Sequence, residues 1–152
     1  METAAWPRIG QIRGFFLSLY MEQTNQQDHW TWRDEMATAI AKAMEMDRFG
    51  VKALYLIGSV KTGNAGPCSD IDLLAHCDGH EGRQSLLRAW CEGWGLCLAE
   101  LNKTKTCYET SGSLVDLHII TDKDIKNKTS FAHMLESVSN SAKLLKKAPQ
   151  YE

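Results

Sequence analysis

Residues 51–76, VKALYLIGSVKTGNAGPCSDIDLLAH, contain the two strands and the intervening loop that decide the fold. Residues 51–57 are rich in branched and aromatic side chains and end at Gly58-Ser59, which predicts a strand followed by a sharp turn. Residues 70–76 predict a second strand whose side chains alternate between two faces. The loop between them contains two further glycines and a proline, so the two strands are separate elements.

Helices are predicted on both sides of this pair of strands. Apolar residues at helical spacing predict a helix that is capped by Thr31 and ended by Gly50. A second amphipathic helix is predicted over residues 81–94, with Gly95 as its stop. A third helix near the C-terminus is indicated by one apolar stripe, formed by Phe131, Leu135, Val138, Ala142 and Leu145.

Two more segments complete the predicted sheet. Residues 96–101 are ambiguous between helix and strand, and we favour a strand. Residues 114–120 have clear strand character. The alternation of helices and strands predicts an α/β (α+β) fold, in which helices flank a small mixed β-sheet of about four strands. We assign this domain to residues 31–148 and interpret residues 1–30 as an N-terminal extension or linker.

The composition limits the class of protein. The chain has 152 residues, of which 43% are hydrophobic and 24% are charged, as is typical of one globular domain. Its formal net charge of -2 argues against a protein that coats duplex nucleic acid. No apolar run approaches the roughly 18 residues that a membrane helix needs. Five cysteines without a Cys-x-x-Cys pair favour a reducing cytoplasm over a disulfide framework or a structural zinc site.

The turn after the first strand has the features of a phosphate-binding loop. The backbone turns sharply at Gly58-Ser59, and N–H groups exposed beside a hydroxyl can bind phosphate oxygens. Lys61 follows in the same loop and supplies a cation. We therefore predict that Gly58, Ser59 and Lys61 bind the phosphates of a nucleotide.

Three aspartates form the candidate catalytic and metal-binding set. Asp70 and Asp72 stand two residues apart on one strand, so both carboxylates lie on the same face. Like charges raise each other's pKa unless a cation neutralises them, and oxygen ligands favour Mg²⁺. Asp116 joins them if its strand is the neighbour, and three carboxylates can hold two metal ions and accept a proton. His118 shares the face of Asp116, and we predict a hydrogen-bonded structural histidine rather than a contact to nucleotide or acceptor.

These residues resemble the motif of the polymerase-beta-like nucleotidyltransferase superfamily, and of its minimal, single-domain members in particular. The similarity lies in three segments, Ile57-Gly58-Ser59, Asp70-Ile71-Asp72-Leu73 and Val115-Asp116-Leu117. One departure is that minimal members commonly carry an arginine after the Gly-Ser pair, where this chain has Lys61. A looser similarity, over residues 93–100 and 115–122, is to nucleotidyltransferase domains attached to pyruvate, phosphate dikinase-like enzymes. That similarity would make the chain a domain of a larger protein.

The resemblance implies an enzyme that binds a nucleoside triphosphate, with ATP expected, and transfers a nucleoside monophosphate to an acceptor hydroxyl. By the resemblance, Asp70, Asp72 and Asp116 hold Mg²⁺ and are catalytic, and Asp116 also activates the acceptor. Gly58 and Ser59 bind the β- and γ-phosphates, and pyrophosphate leaves.

Two other interpretations stay open at the level of sequence. A catalytically weak nucleotide-binding regulatory domain fits the small size and the missing arginine. An antitoxin-like protein is the other, because minimal members often work with a helical partner protein. The acceptor is a protein side chain, a small molecule or an RNA end, and few residues follow residue 120 to bind it. A homodimer or a partner protein would then have to supply that surface.

Overall fold

The computed structural model describes residues 28–137 and 141–151. In chain order the elements are α1 (Thr31–Ala43), α2 (Met46–Phe49), β1 (Val51–Leu56), α3 (Gly58–Lys61), β2 (Ile71–Cys77), α4 (Glu81–Thr106), β3 (Val115–Thr121), α5 (Asp122–Lys126), α6 (Ser130–His133), β4 (Lys143–Lys147) and a 3-10 turn (Pro149–Tyr151). Of the predicted extension at residues 1–30, residues 1–27 lie outside the described part of the chain.

The four strands form one mixed sheet in the order β3-β2-β1-β4. Strand β1 is antiparallel to both of its neighbours, β2 and β4, whereas β2 and β3 are parallel. The predicted α+β fold with a small mixed sheet is therefore confirmed. The parallel pair matters most for function, because it brings the predicted Asp-x-Asp strand beside the strand of Asp116.

The sheet carries its larger core on one face. Leu56 and Leu73 are register partners there, and both are fully buried in the cluster that includes α1 and α4. A smaller cluster covers the other face, where Leu74 packs with Ile120 and with Ala132 of α6. Successive residues of a strand point to opposite faces. The polar residues of the candidate site therefore share the face of the smaller cluster.

The first predicted helix is interrupted. It ends at Ala43, and a separate turn, α2, follows before Gly50. Gly50 closes α2 in the left-handed conformation, with φ +65°, as the sequence predicts. Thr31 is not the cap residue: the backbone N–H groups of Trp30 and Thr31 both donate to Asp28 Oδ1, each at 3.1 Å. The helix start is thus held by a carboxylate one turn earlier than expected.

The second predicted helix is much longer than expected. Helix α4 runs through Gly95 and includes residues 96–101, so both the predicted stop and the predicted strand are wrong. Gly95 lies where the helix approaches the segment before β3, and its carbonyl oxygen accepts a hydrogen bond of 3.0 Å from the N–H of Leu114. A Cβ on Gly95 would lie 1.8 Å from Ser113 Oγ. The glycine therefore permits a close contact rather than ending a helix.

The predicted C-terminal helix is also wrong. Only Ser130–His133 is helical there, Leu144 and Leu145 belong to β4, and Val138 lies outside the described residues. Strand β4 pairs along the free edge of β1, which leaves β1 with a neighbour on both sides. Backbone pairing with a distant strand therefore overrides the helical spacing of the apolar residues. Among the described residues, no helix combines the length and the apolarity needed to cross a membrane.

Candidate active site

The turn after β1 places Gly58 directly against Asp72. The N–H of Ile57 donates a 3.0 Å hydrogen bond to the carbonyl oxygen of Asp72, so the two strands stay paired up to the turn. Gly58 then adopts φ +71°, and a Cβ built there would lie 2.0 Å from Asp72 Oδ2. Glycine meets both the backbone and the steric requirement of this position. Ser59 follows in the first turn of α3 and is half-buried.

Asp72 and Asp116 face each other across the parallel strands. They are register partners in β2 and β3, and both side chains lie on the face of the smaller cluster. His118 stands two residues after Asp116, and its Nε2 lies 3.3 Å from Asp116 Oδ2. One ligand atom from each of these three side chains can be chosen so that all three lie within 4.8 Å of one another. The geometry therefore forms a cluster of two carboxylates and one imidazole.

Asp72 is the most constrained member of this cluster. Burial raises the pKa of its carboxyl, the charge of Asp116 raises it further, His118 lowers it and Asp70 raises it again. In the part of the chain that the structure describes, no group donates a hydrogen bond to this half-buried carboxylate. Uncompensated burial of a carboxylate is unfavourable. The oxygen-rich cluster therefore fits a divalent cation, which would supply the missing positive charge.

Asp70 lies at the edge of the site. It immediately precedes β2, is exposed, and is not in the three-residue cluster. Partial desolvation and the charge of Asp116 raise the pKa of its carboxyl, and Arg33 lowers it. Asp70 thus contributes to the negative field around Asp72 and Asp116, and its part in metal binding stays a prediction.

Arg33 of α1 supports the loop before Asp70, and sequence reasoning missed it. The side chain is completely buried. Its Nε donates to the carbonyl oxygen of Ser69 at 2.8 Å, and one terminal nitrogen donates to Pro67 O at 3.0 Å and to Asn102 Oδ1 at 2.6 Å. The guanidinium therefore fixes the chain entering β2. These partners lie 34 to 69 residues away in sequence, so no local pattern indicates the contact.

Lys61 and His118 have contacts that refine their predicted roles. Lys61 Nζ donates a 2.8 Å hydrogen bond to the carbonyl oxygen of Ser141, which joins α3 to the C-terminal segment. His118 stacks on Phe131 with ring centroids 4.2 Å apart, which agrees with a structural role. The spacing of the ligand atoms also places His118 in the cluster with Asp72 and Asp116. Strand alternation from Asp116 is the sequence signal that marks this histidine for the cluster.

Comparison with known proteins identifies the family. A family model described as a nucleotidyltransferase domain matches residues 40–145. The matched region contains β1, β2 and β3 with the Gly58 turn and the aspartates, although it begins after Arg33. No curated protein matches the chain. The family match agrees with the resemblance to polymerase-beta-like enzymes, and the chain belongs to the nucleotidyltransferase domain family.

Proposed function

We propose that this protein is a Mg²⁺-dependent enzyme that transfers a nucleoside monophosphate from a nucleoside triphosphate, with ATP expected, to an acceptor hydroxyl. The observation that carries the proposal is the pairing of Asp72 with Asp116 on parallel strands beside the Gly58 turn. This arrangement joins a phosphate-binding turn to a pair of carboxylates, which nucleotidyl transfer requires. Membership of the nucleotidyltransferase domain family supports the same reaction class.

The metal ligands in this proposal are Asp72 and Asp116, with Asp70 completing the set. When bound, Mg²⁺ neutralises negative charge on the phosphate that is transferred. Gly58 and Ser59 bind the β- and γ-phosphates through the turn, and Lys61 of α3 supplies a cation next to it. The raised pKa of Asp72 supports this assignment, because a cation offsets the repulsion and burial that raise it.

The acceptor reacts at the α-phosphorus. Its hydroxyl oxygen forms a bond to that phosphorus while the bond to the oxygen bridging the α- and β-phosphates breaks, so pyrophosphate leaves. The proton of the hydroxyl passes to the carboxylate of Asp116. That side chain is 56% exposed, so an acceptor arriving from solvent can reach it. Asp72 is more enclosed and is suited to holding the ion rather than the acceptor.

The first test compares nucleotide binding and turnover in matched variants. We expect the wild type to bind ATP in the presence of Mg²⁺ in calorimetry and to release pyrophosphate. The Asp70→Asn/Asp72→Asn double variant should lose binding and at least about a hundredfold in turnover, since electrostatic stabilisation of this kind is worth several kcal/mol. Asp47→Asn is the control, because Asp47 is an exposed carboxylate outside the site that accepts a hydrogen bond from Gln150.

The outcomes separate the proposal from its alternative. Binding that the double variant loses, without pyrophosphate release for any acceptor class tried, would replace the enzyme with a nucleotide-binding regulatory domain. Equal binding by the wild type and the double variant would overturn the metal–nucleotide site itself. Loss of binding in Asp47→Asn as well would show that neutralising any carboxylate has this effect.

A further inference from the structure

His118 occupies a position from which it can bind the same ion as the two aspartates. Its Nε2 lies 3.3 Å from Asp116 Oδ2, and the cluster with Asp72 spans no more than 4.8 Å between ligand atoms. Two adjacent ligand atoms of one ion lie roughly 3 Å apart when the metal–ligand distances are about 2.1 Å. The 3.3 Å between His118 Nε2 and Asp116 Oδ2 therefore suits shared coordination as well as a simple ion pair.

The imidazole is held in place by packing on its own side of the sheet. His118 stacks on Phe131 of α6 at a centroid separation of 4.2 Å and an interplanar angle of 22°. Its side chain is only 24% exposed. A ring that is fixed before the ion arrives loses little freedom on binding it. The stack therefore holds the ring with Nε2 beside the Asp116 carboxylate.

An imidazole nitrogen among the ligands changes which metal ion the cluster prefers. Mg²⁺ is a hard cation that takes oxygen ligands and retains water, whereas imidazole suits first-row transition ions. Mn²⁺ shares the carboxylate ligands and the octahedral geometry of Mg²⁺. As a first-row transition ion, it binds an imidazole nitrogen more strongly than Mg²⁺ does. A cluster of two carboxylates and one imidazole should therefore favour Mn²⁺ over Mg²⁺ more strongly than three carboxylates would.

We propose that His118 is a direct ligand of the metal ion held by Asp72 and Asp116, and that it makes this centre selective for a first-row transition ion such as Mn²⁺ over Mg²⁺. This inference rests on the proposed function, since it concerns the same metal centre. It adds an imidazole to the ligands Asp72 and Asp116, while Asp70 remains at the edge of the site, outside this three-residue cluster.

The experiment measures the two ions directly, without any nucleotide. Calorimetry gives the dissociation constants of Mn²⁺ and of Mg²⁺, and pulsed electron paramagnetic resonance detects a nitrogen coupled to bound Mn²⁺. The variants are His118→Phe, which keeps a ring to stack on Phe131, and His118→Asp, which supplies an oxygen ligand. His133→Phe is the matched control, because His133 is exposed on α6 and is not in the cluster.

We expect wild-type protein to show nitrogen coupling and to bind Mn²⁺ at least about tenfold more tightly than Mg²⁺. His118→Phe should lose the coupling and weaken Mn²⁺ binding by about tenfold or more, with a smaller effect on Mg²⁺. His118→Asp should restore binding but with a smaller preference for Mn²⁺. His133→Phe should match the wild type.

Bound Mn²⁺ without nitrogen coupling in the wild type overturns the proposal and needs no variant. An unchanged ratio of the two affinities in His118→Phe also overturns it. In either case, if Asp72→Asn binds neither ion, the proposal of a metal centre for nucleotidyl transfer still stands. If Asp72→Asn binds both ions as the wild type does, or if the wild type binds neither, the metal centre and the proposed function fail together.

Discussion

Asp72 on β2 is the register partner of Asp116 on β3, so two carboxylates lie side by side on one face of the parallel pair. Adjacent strands are separated by only about 4.8 Å. Burial is the first cause that raises the pKa of Asp72, and the charge of Asp116 is the second. The fold therefore holds a charge pair that destabilises the metal-free protein, at a position where the same charges can bind a cation.

The raised pKa of Asp72 predicts how stability depends on pH in the absence of metal. Because the folded pKa lies above the unfolded one, the native state binds this proton more tightly. The free energy of unfolding should fall as pH rises from about 4, the usual carboxyl pKa, through the folded pKa, and this contribution should then stay constant. The Asp72→Asn variant should not show this fall in the free energy of unfolding. At pH values above the folded pKa of Asp72, it should be more stable than the wild type.

Urea denaturation in EDTA, at intervals from acid to neutral pH, measures the effect. The difference between the wild type and Asp72→Asn isolates this carboxyl from the other titrating groups. A difference that grows as pH falls, rather than as it rises, would contradict the assignment. Added divalent cation should restore the stability of the wild type and leave Asp72→Asn unchanged, because ligand binding stabilises only the state that binds it.

Two loop glycines with similar backbone angles allow a matched test of the turn next to Asp72. Gly58 and Gly63 have φ values of +71° and +74°, so alanine costs about 1 kcal/mol at either position through the left-handed backbone. Only at Gly58 would the new Cβ also clash, at 2.0 Å from Asp72 Oδ2, since the nearest atom at Gly63 is 3.8 Å away. We expect Gly58→Ala to lose about 1 to 3 kcal/mol more than Gly63→Ala, the range typical of a steric conflict.

Gly58→Ala should also weaken divalent metal binding, because Asp72 must move to make room. Urea denaturation gives the two stabilities, and calorimetry with Mn²⁺ gives the affinities. Equal stability and equal affinity in the two alanine variants would mean that the turn does not touch the carboxylate.

The buried guanidinium of Arg33 predicts a large loss of stability on substitution. Arg33→Met would remove the donor to Asn102 Oδ1, Ser69 O and Pro67 O while keeping much of the side-chain volume. We expect the free energy of unfolding to fall by about 2 to 4 kcal/mol, because these neutral acceptors lose their donor and a buried acceptor left unsatisfied costs about 1 to 3 kcal/mol.

Arg48→Met is the control for Arg33→Met, because the Arg48 side chain is 60% exposed, and it should change stability by less than about 0.5 kcal/mol. The pKa of Asp70 should also rise in Arg33→Met, since the arginine charge lowers it in the wild type. Nuclear magnetic resonance titration of the Asp70 carboxyl measures this second effect. Similar stabilities of the two methionine variants would mean that Arg33 does not stabilise the loop before β2.

The parts of the fold and the site that were predictable from sequence are those fixed by local patterns. The two strands predicted over residues 51–57 and 70–76 are observed as Val51–Leu56 and Ile71–Cys77, because their side chains suit a half-buried sheet. Gly58 marks the turn, because a Cβ there would clash with Asp72. Asp116 follows from its position within a strand pattern. The parallel neighbour that brings it to Asp72 follows from the family resemblance rather than from periodicity.

The errors arise where distant segments decide the structure. Residues 143–147 become a strand because β1 has an edge to pair with, and nothing in their own spacing indicates that edge. In the sequence, Arg33 is one charged residue within a helix pattern. The groups that accept its hydrogen bonds lie in the loop before β2 and in α4, far away in sequence. His118 joins the cluster only once the register of β2 and β3 is fixed.

Alanine substitutions at Gly93 and Gly95 test the close contact between α4 and the segment before β3. The sequence predicts a helix end at Gly95, where the structure has this contact instead. Both lie within α4, where alanine is favoured over glycine by about 0.5 to 1 kcal/mol. A Cβ at Gly93 meets nothing within 4 Å, so Gly93→Ala should stabilise the protein by about that amount. A Cβ at Gly95 would lie 1.8 Å from Ser113 Oγ and 2.9 Å from the backbone nitrogen of Val115.

Gly95→Ala should therefore destabilise the protein despite its better helix propensity, by about 1 to 3 kcal/mol as for other overpacked sites. Adding Ser113→Ala removes the hydroxyl clash but not the one with Val115, which belongs to the backbone of β3 and cannot turn away. The double variant should thus recover only part of the loss. If Gly95→Ala stabilises the protein as Gly93→Ala does in urea denaturation, α4 does not approach β3 this closely, and the glycine has no packing role.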